Sequence, residues 1–350
     1  MYSIKMYGIK AEDKPYAIKW AKEHDVQISM TEKVIDENTI DDAKGFDGVN
    51  TLQVTKIPTD AYARFKAMGI NQIAQRSAGF DMYDLAEATR QGIIISNVPS
   101  YSPASIAEYA LTSALNLVRQ IPTIQKRVQA HNFTWEKPIR GQVVGEMTVA
   151  VLGTGHIGAH VARLFHGLGC KVLAYDRHPR TDLAFLTYAD SIEAAVKDAD
   201  IVTLHIPLRE ENVHLFDAKM FEQFKKGAYL VNTARGGLVD TEALLAALDS
   251  GQLAGAALDV YENEGPYVQK NVKDQAISDE LFQKILNHDR IIYSPHVAFY
   301  TDEAVANLIY GGLNATLDVI TKGDTPNRVN ALQSLGKMLR IKSFHILTIH

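Results

Sequence analysis

Short apolar runs alternate with amphipathic stretches along most of this 350-residue chain. In the first hundred residues, positions 4–9, 27–30, 48–52, 70–76 and 93–98 have the apolar density of buried strands. Between them, 14–22, 59–68 and 82–91 read as helices, and Gly69 and Gly92 stand where helices stop. Such alternation implies a parallel sheet covered by helices on both faces. At 97–103 the chain turns: Ser102 suits an N-cap and Pro103 a first helical position. The helix predicted over 104–120 is rich in small residues, which permit close packing. Further strands are expected at 201–207, 228–233, 255–260 and 290–294, with a helix at 241–248 ended by Gly251. A last amphipathic helix, 302–321, has no place in a completed second domain. It is expected to pack back on the first.

Composition narrows the class. The 46% hydrophobic and 22% charged content is that of a globular protein with room for two domains. The net charge of −5 gives no reason to expect nucleic acid or an anionic membrane as partner. A single cysteine, Cys170, excludes an intrachain disulfide and most thiolate metal sites. The first residues lack the pattern of a signal peptide, and no apolar run reaches membrane-spanning length, so a cytoplasmic protein is expected. No metal-ligand spacing is found among the histidines, and no metal is expected. The segment 331–350, which holds Lys337, Arg340 and Lys342 and no acid, reads as an appended or disordered tail.

The segment from Thr148 to Gly158, followed by Lys171 to Asp176, carries the first chemistry. It reads as strand, glycine-rich turn, helix, strand and acid, the fingerprint of a dinucleotide-binding βαβ unit. Gly153 permits a sharp exit from the strand, Gly155 lets backbone approach a pyrophosphate, and Gly158 lets the helix close on the sheet. Asp176, 21 residues after Gly155, would accept hydrogen bonds from an adenosine ribose and repel a 2′-phosphate, favouring NAD. Arg177 and Arg180 beside it leave some use of NADP open.

Three later strand ends carry polar groups where open α/β sheets bind ligands. They are Arg235 in Asn-Thr-Ala-Arg-Gly-Gly, Glu264 before Gly-Pro, and His296 in Ser-Pro-His. Each alone is more often a solvated or turn residue. Together they meet the needs of 2-keto acid reduction. Arg235 offers a planar fork to a carboxylate. His296 offers a proton donor of a type that titrates near neutrality, and Glu264 an anion to orient it.

The segments Arg76-Ser-Ala-Gly-Phe-Asp81, Asn97-Val-Pro-Ser-Tyr-Ser-Pro103, Ile106-Ala-Glu-Tyr109, Val151 to Gly158, Asn232 to Gly237, Ala257 to Tyr261 and Ser294-Pro-His296 resemble the D-2-hydroxyacid dehydrogenase family, most of all its D-lactate dehydrogenase branch. The resemblance spans about residues 1 to 330. It implies an α/β fold: a doubly wound Rossmann NAD-binding domain, 101–296, inserted into a smaller flavodoxin-like α/β substrate (catalytic) domain, 1–100 plus 297–330. It implies catalytic roles for Arg235, Glu264 and His296. It implies cofactor contacts from His156, Ile157, Asp176, Ile206, Pro207, Asn212, Thr233, Ala234, Arg235 and Asp259. Ala78 and Gly79 would hold the substrate carboxylate by their backbone, with Tyr101 and Phe299 lining the pocket. D-stereospecificity and a homodimer are implied as well. Leu52 stands where lactate-preferring members of the branch typically carry tyrosine. A more open pocket, with good activity on phenylpyruvate or 2-ketoisocaproate alongside pyruvate, is therefore expected. An NAD-sensing corepressor-like scaffold, or an enzyme for glyoxylate or hydroxypyruvate, remains an alternative.

Overall fold

The computed structural model describes residues 1–331, so of the tail only Ala331 falls within it. The chain divides into two compact units, Met1–Tyr101 with the segment from Asp302 onward, and Ser102–Thr301. Each is described by itself.

In the first unit the elements run β1 (Tyr2–Tyr7), α1 (Lys14–His24), β2 (Val26–Met30), β3 (Gly48–Thr51), α2 (Ala61–Ala67), β4 (Gln72–Gln75), α3 (Leu85–Arg90) and β5 (Ile94–Ser96). The strands form a parallel sheet in the order β2-β1-β3-β4-β5, the flavodoxin-like order. All four residues of β3 and of β4 are buried, as a sheet covered on both faces requires. One face packs on Tyr7, Ile40, Val49, Tyr62, Phe65 and Ile73.

The second unit contributes α4 (Pro103–Val118), α5 (Ile121–Gln129), β6 (Thr148–Leu152), α6 (His156–Gly167), β7 (Lys171–Tyr175), β8 (Thr187–Tyr188), α7 (Ile192–Val196), β9 (Ile201–Leu204), α8 (Ala218–Gln223), β10 (Ala228–Asn232), α9 (Thr241–Asp249), β11 (Leu253–Leu258), α10 (Glu280–Asn287) and β12 (Ile291–Tyr293). Its seven strands lie in the order β12-β11-β10-β9-β6-β7-β8, all parallel. The order reverses between β6 and β9, which is the doubly wound pattern. The carboxyl ends of these two strands therefore flank the crevice where such sheets take a ligand. Ser102 caps α4 by accepting from the Ser105 N–H at 3.3 Å, with Pro103 in the first helical turn.

The chain then returns to the first unit. Helix α11 (Asp302–Lys322) lies on β3, β4 and α1, burying Leu308, Ile309, Leu313 and Val319. Trp20 donates its indole N–H to Asn314 at 2.7 Å. Val297 and Ala298, expected with the first unit, instead donate their N–H groups to Asp259, and the second unit extends to Thr301.

Candidate active site

The glycine-rich turn is built as its sequence demands. Gly153 has a φ of +93°, and a Cβ there would lie 2.6 Å from the His205 carbonyl oxygen. A Cβ on Gly158 would lie 1.8 Å from the Gly153 carbonyl oxygen, so α6 packs against the turn that precedes it. At Gly155, the N-cap of α6, a Cβ would meet nothing within 4 Å. Asp176 closes the motif. Its carboxylate accepts from the Thr154 N–H at 2.6 Å and from the His178 N–H at 2.9 Å.

These features fit a dinucleotide: open space over Gly155, a helix N-terminus holding His156 and Ile157, and a half-buried acid at the end of β7. Arg180 is bound to Asp182 through two bonds of 2.9 and 2.7 Å, and Arg177 sits 3.4 Å from Glu211. Both arginines beside Asp176 therefore already have acid partners.

Beyond β9, Ile206 is half-buried and Pro207 exposed. Asn212 folds this loop back, donating to the Pro207 carbonyl at 2.8 Å and accepting from the Arg209 N–H at 2.6 Å. His205 precedes them. Burial pushes its imidazole down to about 3, so it is held neutral, with Thr203 as its hydrogen-bond partner at 2.8 Å.

The end of β10 supplies Thr233, Ala234 and Arg235. Asn232 shapes this turn, accepting from the Ala234 N–H at 3.0 Å and donating to the Arg235 carbonyl at 2.9 Å. The Arg235 guanidinium donates to the Ala234 carbonyl at 2.8 Å. Among the described residues no carboxylate lies within ion-pair distance of it. The buried Thr233 Oγ1 has no partner among them either.

Gly236 brings two strand ends into register. A Cβ there would lie 2.2 Å from the Tyr261 carbonyl carbon, so the turn after Arg235 rests directly on the loop after β11. That loop carries Glu264. One Glu264 oxygen accepts from the Tyr261 N–H at 2.9 Å, and the other lies 2.6 Å from His296 Nδ1. Nearby, Glu262 accepts from Thr241 at 2.7 Å and lies 2.7 Å from His214 Nε2.

His296 has a φ of +59°, a left-handed backbone that few non-glycine residues adopt. Asp259 stabilises it. The Asp259 carbonyl accepts from the His296 N–H at 2.8 Å. The Asp259 carboxylate accepts from Ser294 Oγ at 2.6 Å and from the Val297 and Ala298 N–H groups at 2.9 Å each. Burial pushes its pKa up, while these bonds and the nearby His296 oppose the shift. Sequence reading did not find this anchoring of the histidine loop, because most of its partners are backbone groups.

In the first unit, the loop 77–79 has an unusual pattern. The carbonyls of Ser77, Ala78 and Gly79 all accept hydrogen bonds, from the Val98 N–H at 3.0 Å, Asn97 Nδ2 at 2.7 Å and Ser77 Oγ at 2.6 Å. The N–H groups of Ala78 and Gly79 have no acceptor among the described residues. Two successive N–H groups left this way in a bend make a nest that can receive an anion. Ser77 and Asn97, which shape it, were not singled out from sequence. Leu52 follows β3 directly, and its N–H donates to the Tyr7 carbonyl at 3.3 Å. Tyr101 and Phe299 are both half-buried.

Comparison with known proteins gives these features a family. Residues 111–298 match the model for the NAD binding domain of the D-isomer specific 2-hydroxyacid dehydrogenases, and the chain belongs to that family. It is 50% identical to the D-lactate dehydrogenase of Streptococcus pyogenes serotype M1, covering 93% of this chain and 99% of that one. Among solved structures it is similar to a D-lactate dehydrogenase from Treponema pallidum, at 37% identity and a TM-score of 0.87, covering 94% of this chain and all of that one. It is also similar to a D-2-hydroxyisocaproate dehydrogenase, at 38% identity and a TM-score of 0.88 over the same shares. Among the described residues no helix is long and apolar enough to cross a membrane, and no group of three or more His, Cys, Asp or Glu is placed to hold a metal ion.

Proposed function

We propose that this chain is an NAD-dependent D-lactate dehydrogenase that reduces pyruvate and, in reverse, oxidises D-lactate. The observation that carries the reading is the 2.6 Å pair of Glu264 and His296 Nδ1, in the same unit as the Arg235 guanidinium, which has no acid partner among the described residues. Gly153, Gly155, His156, Ile157 and Gly158 would hold the pyrophosphate, and Asp176 the adenosine ribose. Ile206, Pro207, Asn212, Thr233 and Ala234 line the rest of the cofactor. When bound, NADH supplies the hydride. Arg235 binds the substrate carboxylate through its fork and polarises the carbonyl as charge develops on oxygen. The N–H groups of Ala78 and Gly79, which have no acceptor among the described residues, are the first unit's candidates for a carboxylate. Glu264 accepts from Nδ1–H of His296, which leaves Nε2 to give its proton to the carbonyl oxygen. In the oxidation direction the same nitrogen takes the proton back. Asp259 serves by fixing the histidine loop.

The first unit acts as the substrate domain and the second as the NAD domain. Leu52, Tyr101 and Phe299 contact the substrate's side chain. With leucine at 52, and with likeness to a D-2-hydroxyisocaproate dehydrogenase, 2-ketoisocaproate and phenylpyruvate are accepted alongside pyruvate. The functional form is a homodimer. Segment 121–143 supports this by exposing Trp135, Phe133 and Val143 at 96%, 70% and 66%.

The test is NADH oxidation with a panel of 2-keto acids and chiral analysis of the products. D-2-hydroxy acids are expected. L-products, or no turnover of any keto acid, would refute the proposal. Arg235→Lys should raise KM for keto acids greatly with little change in NADH affinity.

A further inference from the structure

A buried cation lies directly behind the anion nest of the first unit. Arg76 is 3% exposed. Its guanidinium donates to Asn50 Oδ1 at 2.5 Å and to the Tyr7 and Gly8 carbonyls at 2.9 Å each. Its own N–H donates to the Thr51 carbonyl at 2.7 Å. Arg76 therefore joins the carboxyl ends of β1, β3 and β4, and the next three residues are the loop 77–79. Every one of these acceptors is neutral. No carboxylate among the described residues comes within ion-pair distance, and Asp13 is the one acid whose field reaches the group. Burial without a counter-ion lowers its pKa to about 10, so it stays charged at neutral pH.

A buried unpaired charge is destabilising unless something compensates for it. Structure alone could use a neutral amide here or add an acid beside it. The Asn50 site is one atom type away from an aspartate, and its Nδ2 has no partner among the described residues. The arrangement keeps a full positive charge in a low-dielectric position at the strand ends that carry Ala78, Gly79 and Leu52. A substrate carboxylate seated on the nest supplies the missing negative charge.

We propose that Arg76 is a positioning and substrate-selecting residue: it shapes the nest through its neutral acceptors and attracts the anionic substrate through its uncompensated charge. This rests on the reading of Ala78 and Gly79 as carboxylate contacts. It separates two roles for cations, since Arg235 touches the substrate while Arg76 acts through the loop in front of it.

Asn50→Asp tests this by giving Arg76 a counter-ion without removing it. We expect KM for pyruvate and the inhibition constant of oxamate each to rise about tenfold, from the loss of one buried charge near the anion. The value of kcat, NADH affinity and the thermal midpoint should stay close to wild type. Arg76→Lys, which keeps charge but not the fork, should retain most of the pyruvate affinity. An Asn50→Asp enzyme with unchanged KM would overturn the proposal, as would one whose KM and kcat worsen equally with a fallen midpoint. Arg76→Lys losing as much pyruvate affinity as Asn50→Asp would overturn the charge assignment. If the wild-type chain turns over no 2-keto acid at all, the functional reading fails instead, before any variant is compared.

Discussion

Two glycines of one motif should fail in opposite ways. At Gly158, an added methyl group would sit 1.8 Å from the Gly153 carbonyl oxygen and 2.9 Å from its carbon. Both atoms are backbone, so no side chain can turn aside. The start of α6 and the turn must part by more than an ångström. Such overpacking lies at the upper end of the usual range, about 3 kcal/mol. For a unit of this size that corresponds to a fall in thermal midpoint of roughly 6–12 °C. At Gly155 the methyl group meets nothing within 4 Å, and its φ of −63° suits any residue. Alanine gains a little from a stiffer unfolded chain and loses a little as an N-cap, so stability should change by less than about 1 kcal/mol. Yet, with the pyrophosphate held as proposed, the methyl group occupies its approach. NADH affinity should fall about tenfold or more, which is about 1.4 kcal/mol. Calorimetry of the two ligand-free variants and fluorescence titration with NADH measure both quantities. If Gly158→Ala melts with the wild type, or Gly155→Ala binds NADH as tightly, the assignment of packing to one glycine and ligand approach to the other is wrong.

Other outcomes follow from the site. Asp259→Asn cannot accept from Ser294, Val297 and Ala298 together, so it should cost about 1–3 kcal/mol of stability and lower kcat more than NADH affinity. Denaturation and steady-state kinetics check this. His205, held neutral with a pKa near 3, binds its proton less readily folded than unfolded. Its contribution is complete above pH 6.5 and is lost as pH falls from there toward 3. His205→Gln should flatten the stability–pH curve in that window. The change should stay below the one-proton limit of about 1.4 kcal/mol per pH unit, because the residue keeps a partly exposed edge. Leu52→Tyr should shift kcat/KM from 2-ketoisocaproate toward pyruvate by about 1–3 kcal/mol. Unchanged ratios would show that Leu52 does not face the substrate.

The alternation of strands and helices was legible in the sequence, because most buried parallel strands are apolar runs, although β3 (Gly-Val-Asn-Thr) and β4 (Gln-Ile-Ala-Gln) are not. Strand ends were read too long. The run 201–207 pairs only over Ile201–Leu204: His205 still donates to the Leu152 carbonyl at 2.7 Å, but Pro207 has no N–H with which to continue the ladder. Helices were expected between the later strands, but α7, α8 and α10 were given no bounds. Arg235, Glu264 and His296 were visible through their neighbours in sequence. The left-handed backbone of His296 and the Asp259 carboxylate beneath its loop were not. Both depend on main-chain contacts across 30 or more residues, which residue identity does not encode.

The route of the chain also has a consequence for its synthesis. The second unit is one unbroken segment, Ser102–Thr301, and can fold as soon as that segment leaves the ribosome. The first unit begins earlier and finishes later. Its Trp20 finds Asn314 only across 294 residues of sequence, so one face of β3 and β4 stays uncovered until α11 emerges. The unit made first is thus the last to be completed. Until then the sheet face that α11 covers, with Ile4 and Met6 of β1, is open to misassociation.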